Sequence, residues 1–334
     1  MTQRNDRTLP RRAVLRMLGV GGTALLAGCA GDDTGDASTA GSSTGDTAST
    51  GDASTSGSAS TATQGPTSTG DPTLTSTGDA TTTGTTAGAE CVPAGAWASG
   101  GTAAMTAKAC YPDPFAGGVT CQLLCETTEG PCTADTLERQ DVSEGLSGLP
   151  LRLALLIVDA DTCAPIDGAR VEIWHTQRTG VYSGKTPSGA FCYGDDPDAE
   201  NHLYFRGSQS AGADGRVDFD TCFPGWYSSR ALHIHFRVYL GGDLFVTSQL
   251  LFDDALAAEI FASHPEYASF GQPDTTNATD TVFGGEDDVT PYILNVARMP
   301  DGAMLASKVI GVRAALADPS CSVQSGGGNM PPPP

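Results

Sequence analysis

Nine consecutive residues, Leu232 to Leu240 (LHIHFRVYL), alternate without a break. Leu232, Ile234, Phe236, Val238 and Leu240 fall on one face of an extended chain, and His233, His235, Arg237 and Tyr239 on the other. A period of two suits a β-strand with one apolar face and is incompatible with a helix. Looser versions of the pattern mark Leu151–Val158, Ala169–Trp174, Arg216–Phe219 and Thr247–Phe252 as further strands, with turns at Asp159–Cys163 and Asp214-Gly215. Asp254–Ser263 instead has helical spacing, with Leu256, Ile260 and Phe261 on one side and an Asp at its start. Short strands separated by turn signals predict an all-β fold, an antiparallel β-sandwich core with long loops and a few short helices. No Gly-rich loop joins a strand to a helix and no G-x-S-x-G occurs, which excludes dinucleotide, P-loop and α/β-hydrolase sites.

That folding unit occupies only part of the 334 residues. Residues 1–29 read as an export signal: Arg11-Arg12 precede a modest apolar run from Met17 to Ala27, and Leu26-Ala27-Gly28-Cys29 has the form of a lipobox. The expected outcome is twin-arginine export and a lipid anchor at Cys29, placing the protein in the cell envelope or on the cell surface. Between residues 31 and 90 there are 28 Ser or Thr, and Leu74 is the one large apolar side chain. Such a tract cannot bury enough surface to offset the entropy of ordering, so residues 30–90 are expected to be a disordered tether. The domain is placed at 91–325, with a flexible tail at 326–334. Residues 91–334 carry 13 basic and 30 acidic side chains, a net −17, which makes nucleic acid an unsuitable partner. Beyond the N-terminus no stretch is long and apolar enough to span a bilayer.

Nine cysteines follow Cys29: Cys91, Cys110, Cys121, Cys125, Cys132, Cys163, Cys192, Cys222 and Cys321. In an exported chain these are expected to form disulfides, and their odd number leaves at least one thiol free or paired between molecules. Paired CxxC motifs at zinc-finger spacing are absent.

Chemistry is concentrated in few residues. Of five histidines, His233 and His235 project from the same strand face and can offer two neighbouring nitrogens to one metal. Zinc and copper sites use this spacing, and strand His pairs also occur without metal. Tyr227 lies six residues before His233 in CFPGWYSSRALHIHF, and Tyr182 sits in the tight turn TGVYSG after the strand VEIW. Each Tyr alone reads as an ordinary packed ring. Two phenolates with two imidazoles form a hard, anionic donor set that favours a trivalent ion.

These residues belong to an ordered series. It runs through Glu129-Gly130-Pro131, Arg139, Asp141, Glu144-Gly145, Gly148–Leu151, Cys163–Ile166, Gly168–Trp174 and Gly180–Ser183-Gly184. It continues through Arg206-Gly207, Asp214–Val217, Pro224–Tyr227, Arg230, His233–His235 and Thr247–Leu250. The series resembles the intradiol ring-cleavage dioxygenases, most closely the protocatechuate 3,4-dioxygenase type. The resemblance implies a mononuclear Fe(III) held by Tyr182, Tyr227, His233 and His235, with Tyr227 and His235 as the axial pair. It further implies Tyr227 as a base, Arg230 as a charge-stabilising catalytic residue, and Gln249 as a polar group on the oxygen-binding side. The implied reaction opens a catechol with O2 to a cis,cis-muconate-type dicarboxylic acid, without an organic cofactor.

Two departures stand out. Cys132 follows Glu-Gly-Pro where the family commonly has Tyr, and the loop Lys185–Asn201 has no clear counterpart. The oligomeric state is not implied. Two other readings fit parts of the pattern: a non-catalytic transthyretin- or Ig-like binding module, which the stretch from Pro165 to Trp174 alone would suit, and a copper or zinc site.

Overall fold

The computed structural model of the protein describes residues 91–323. The expected signal, tether and tail fall outside the described residues. Within them the chain forms β1 (Pro150–Asp159), β2 (Arg170–Trp174), a single-turn helix α1 (Gly189–Cys192), β3 (Arg206–Ser210), β4 (Arg216–Cys222), β5 (His233–Leu240), β6 (Asp243–Leu251), α2 (Asp254–Ser263), β7 (Asn295–Arg298) and β8 (Met304–Val312). The strands make two four-stranded sheets, ordered β4-β1-β8-β7 and β3-β2-β5-β6. The all-β sandwich expected from the alternation is what forms, with one feature that the pattern did not carry: β1 and β8 run parallel.

The inner faces of the sheets supply the core. Leu151, Leu153, Leu155, Ile157, Val217 and Phe219 come from one sheet, and Val171, Ile173, Ile234, Phe236, Val238 and Leu250 from the other. Each such side chain, fully buried, is worth about 1.5–3 kcal/mol. β1 is buried on both faces because the segment preceding it folds back over the outer side: Met105, with Tyr111 and Phe115, packs against Ala154, Met299, Ala303 and Leu305. This explains why β1 reads as a continuous apolar run rather than a strict alternation. The helix α2 matches its expected bounds, and Asp253 caps it by accepting from the amides of Ala255 and Leu256. Among the described residues no helix is long and apolar enough to cross a membrane.

Eight of the nine cysteines pair, as Cys91–Cys110, Cys121–Cys163, Cys125–Cys321 and Cys132–Cys192. The odd thiol is Cys222, buried in the core, where desolvation pushes it up to about 12. Cys125–Cys321 joins positions 196 residues apart and so ties the end of the domain to its beginning.

His175 follows β2 and is buried, with Nε2 2.7 Å from Thr221 Oγ1 and Nδ1 2.8 Å from the Thr176 carbonyl. Burial lowers its pKa from 6.5 to about 4. The unfolded chain therefore takes up a proton between these values that the folded chain refuses, and stability falls as pH drops from about 6.5 towards 4. His175→Gln should lack this component. Urea titrations at pH 7.5 and pH 4.5 are expected to show the wild-type protein losing more stability than the variant, by an amount on the order of 3 kcal/mol at full development.

Candidate metal centre

The outer face of the second sheet carries side chains that the sandwich core cannot use. Strand register places Arg206, Trp174, His235 and Gln249 opposite one another on β3, β2, β5 and β6, so the four form one row across the sheet. His233 lies one step along the same face of β5. All are shielded from water by the segment around Gly130, the loops after β2 and the loop between β4 and β5. His233 and His235 are 4% and 2% exposed, which few polar side chains tolerate without partners or a metal.

Two loops deliver the tyrosines. After β2 the chain turns tightly, the Gly180 amide donating to the Gln177 carbonyl at 2.9 Å. The Tyr182 amide then donates to the Cys192 carbonyl at 2.9 Å. After β4, the Gly225 amide also donates to Gln177, at 3.1 Å, so both turns hang on one carbonyl. Gly180 has φ +83°, and a Cβ there would strike the Trp226 carbonyl oxygen directly before Tyr227. Glycine at this position is what lets the two tyrosine-bearing segments touch.

The four donor atoms converge. Tyr182 Oη lies 3.1 Å from His233 Nε2 and 3.4 Å from Tyr227 Oη, Tyr227 Oη lies 3.4 Å from His233 Nε2, and the two Nε2 atoms are 3.1 Å apart. Donors ~2.1 Å from a common ion and separated by 90–110° stand about 3.0–3.4 Å apart, so this set fits one small cation. Its protonation chemistry fits as well. His233 Nδ1 is 2.6 Å from the Ala231 carbonyl, which fixes the proton there and leaves Nε2 with a free lone pair. Burial, then the Arg230 charge, depresses His233; burial, then His233, depresses His235; both imidazoles are neutral. Burial, followed by the neighbouring Tyr227, pushes the Tyr182 phenol well above its ordinary value. A phenol so placed ionises only when a cation takes the place of its proton.

The supporting groups are equally ordered. The His235 ring stacks on Trp174 at 4.7 Å and 7°, and Arg237 covers the same indole at 4.9 Å. His235 Nδ1 has no hydrogen-bond partner. Arg230 donates from Nη1 to Tyr227 Oη at 3.3 Å and from Nη2 to Gln249 Oε1, while Gln249 Nε2 donates to the Thr128 carbonyl at 2.9 Å. The six side chains singled out in the sequence, Tyr182, Tyr227, Arg230, His233, His235 and Gln249, therefore meet in one place, beside Trp174 and Arg206 of the row. One that the sequence did not reveal joins them: Asp280, which accepts from Arg230 Nε at 3.0 Å. Burial opposes its ionisation most strongly, but the Arg230 guanidinium, His233 and the amides of Ala231 and Phe283 together outweigh it and keep its pKa below the usual range. No motif surrounds Asp280, and the one available signal was the need of a buried Arg for a counter-charge.

Both departures noted in the sequence fall on the site's rim. Cys132 is bonded to Cys192, so the segment beside His235 is covalently tied to the inserted loop beside Tyr182. Phe191 of that loop meets the Tyr227 ring edge-on at 6.4 Å. Among the described residues no group of three or more His, Cys, Asp or Glu is placed to hold a metal ion. The donor set here draws half its atoms from tyrosine, and the multi-histidine arrangement of a copper or zinc reading is absent from the described residues.

No family model matches the chain. It is 27% identical over 136 residues to catechol 1,2-dioxygenase 1 of Acinetobacter lwoffii, a match covering 34% of this chain and 40% of that relative. The chain thus spans well under two thirds of the curated relative's length. An intradiol ring-cleavage dioxygenase from Tetranychus urticae, known as a solved structure, aligns with a TM-score of 0.50 at 29% identity, covering 58% of this chain and 95% of that one.

Gly180→Ala tests the packing of the two tyrosine turns. A Cβ at positive φ against a backbone carbonyl should destabilise the domain by about 2 kcal/mol or more, measured by urea unfolding, whereas Gly241→Ala, where nothing stands within 4 Å, should cost less.

Proposed function

Proceeding from the resemblance of this chain to the intradiol ring-cleavage dioxygenases in sequence and fold, we propose that it is an Fe(III)-dependent enzyme that opens a catechol-type ring with O2. The product is a cis,cis-muconate-type dicarboxylic acid, which contains all atoms of the catechol and both atoms of O2. The observation that carries this reading is that Tyr182 Oη, Tyr227 Oη and His233 Nε2 lie 3.1–3.4 Å from one another in a buried site, with His235 Nε2 3.1 Å from His233 Nε2.

Tyr182, Tyr227, His233 and His235 would hold the ion. Bound there, ferric iron would supply a Lewis acid that chelates both catechol hydroxyls and makes the ring reactive towards O2. The chain's own residues do the rest. Tyr227 Oη, with Arg230 Nη1 at 3.3 Å, is the group that would accept a catechol proton. The Arg230 guanidinium, buried and already oriented, stabilises negative charge that grows on the substrate ring. Gln249 holds that guanidinium through Oε1, and its amide is fixed by Thr128. Burial of every donor keeps water from competing for the ring and strengthens each of these interactions. A module that only binds a partner would have no use for four desolvated donors aimed at a common point.

The twin-Arg signal, lipobox and Ser/Thr-rich tract lead us to place this activity outside the cytoplasm, on a domain tethered through Cys29. Catechols and O2 are the partners we assign.

Reconstitution with Fe(III) should give a wine-red protein through tyrosinate charge transfer, with one iron per chain. Tyr227→Phe should still take up iron and cleave catechol on the order of 10²-fold more slowly, as expected for loss of a general base. Cleavage at the wild-type rate would remove Tyr227 from the mechanism, and colourless protein with stoichiometric zinc would remove the ferric reading altogether.

A further inference from the structure

Asp280 lies in the long connection between α2 and β7, 49 and 50 residues beyond the two residues it holds. Its side chain is wholly buried, and both carboxylate oxygens are fully engaged. Oδ1 accepts from the amides of Val282 at 2.8 Å and Phe283 at 3.0 Å, a closed turn within its own loop. Oδ2 accepts from Arg230 Nε at 3.0 Å and from the Ala231 amide at 2.7 Å.

The mount is rigid. Val282 and Phe283 are buried in the main core. Asn277, three residues before Asp280, donates from its side chain to the Phe252 carbonyl at 2.8 Å and from its amide to Asp254 Oδ1 at 3.0 Å. The loop is thereby fastened to the end of β6 and the first turn of α2. A Cβ on Gly284 would come within 2.6 Å of the Asp280 carbonyl oxygen, so the turn closes only around glycine there.

What Asp280 holds is the site itself. The far edge of the Arg230 guanidinium reaches Tyr227 Oη and Gln249 Oε1, one oxygen on each amino group. Neither can fix the angle of a planar cation as a carboxylate on Nε can. Ala231, whose amide donates to Asp280, accepts through its carbonyl from His233 Nδ1 at 2.6 Å, in the next peptide unit. One carboxylate therefore contacts both Arg230 and, through the one residue Ala231, the backbone that holds the ring of His233. Water cannot substitute for it, because Arg230 is 2% exposed and Asp280 1%.

We propose that Asp280 is the positioning residue of this site, acting through Arg230 and Ala231. What the positioned groups then do rests on the function proposed above. Asp280→Asn is the informative change. Asn keeps the size and can still accept from Val282 and Phe283 through Oδ1, but turns an NH2 donor against two donors, Arg230 Nε–H and the Ala231 amide. In the iron-loaded full chain, kcat for catechol should fall at least ~10-fold while KM stays within about 3-fold, and the visible charge-transfer band should shift as His233 reorients. In an Arg230→Met background the same change should lower kcat by a smaller factor, since only the route through Ala231 is then left. An undiminished kcat in Asp280→Asn, or an equal loss with and without Arg230, overturns the proposal.

A second measurement needs neither iron, catechol nor a variant that folds. In the 1H–15N spectrum of the metal-free wild-type chain, the Arg230 Nε–H should resist exchange with solvent on the timescale of the core amides. Exchange as fast as that of surface arginines overturns the positioning role even if the enzyme proves active. Slow exchange in a chain that cleaves no catechol upholds the positioning role and rejects only the reaction.

Discussion

A polar row on the face of a sheet, sealed from water by loops, is the constraint on which the rest of this structure depends. Desolvated imidazoles and phenols are costly to bury, and a chain that buries four of them at one point must satisfy them with each other or with a cation. Neighbouring donors 3.1–3.4 Å apart, both histidines neutral and Tyr182 resistant to ionisation, make a pocket that is poorly satisfied by protons and well satisfied by a metal. The sandwich core beneath has a different task. It holds β2, β5 and β6 in fixed register, so that Trp174, His235 and Gln249 stay abreast.

The loops that close the site are anchored covalently as well as by hydrogen bonds. Cys132–Cys192 ties the Glu-Gly-Pro segment to the inserted loop, and the Cys192 carbonyl takes the Tyr182 amide. The covalent link and the donor turn thus meet at one residue, Cys192. On the opposite side, Asp280 and Arg230 form a buried ion pair whose hydrogen bonds are all made within the protein. Such a pair adds little to net stability, yet it fixes one arrangement of the groups around it.

Much of this was legible in the chain. The strict alternation of Leu232–Leu240 specified β5 and the face on which both histidines stand, because a one-residue slip would have buried charge in the core. The helix from Asp254 to Ser263 was legible from its spacing and its capping aspartate. The last strand was not. Met304–Val312 pairs in parallel with β1 and is nearly all buried, so it lacks the alternation that marks a strand with one wet face. β3 was hidden for another reason: Arg206-Gly207-Ser208-Gln209-Ser210 has no apolar residue, and the loops lying over it decide its burial. Cysteine parity implied a lone thiol without identifying Cys222 or any pairing, since partners depend on distances across the fold. The convergence of Tyr182 and Tyr227 with the histidines followed from family resemblance rather than periodicity, because turns carry no period. Asp280 was illegible for the same reason.

The central claim is that these four donors share one ferric ion, and anomalous diffraction tests it most directly. Crystals of the chain grown with Fe(III), measured above and below the iron K-edge, should show one strong peak per molecule within bonding distance of Tyr182 Oη, Tyr227 Oη, His233 Nε2 and His235 Nε2. No peak there, or the principal peak on the acidic loop around Asp196 and Asp198, would contradict the account.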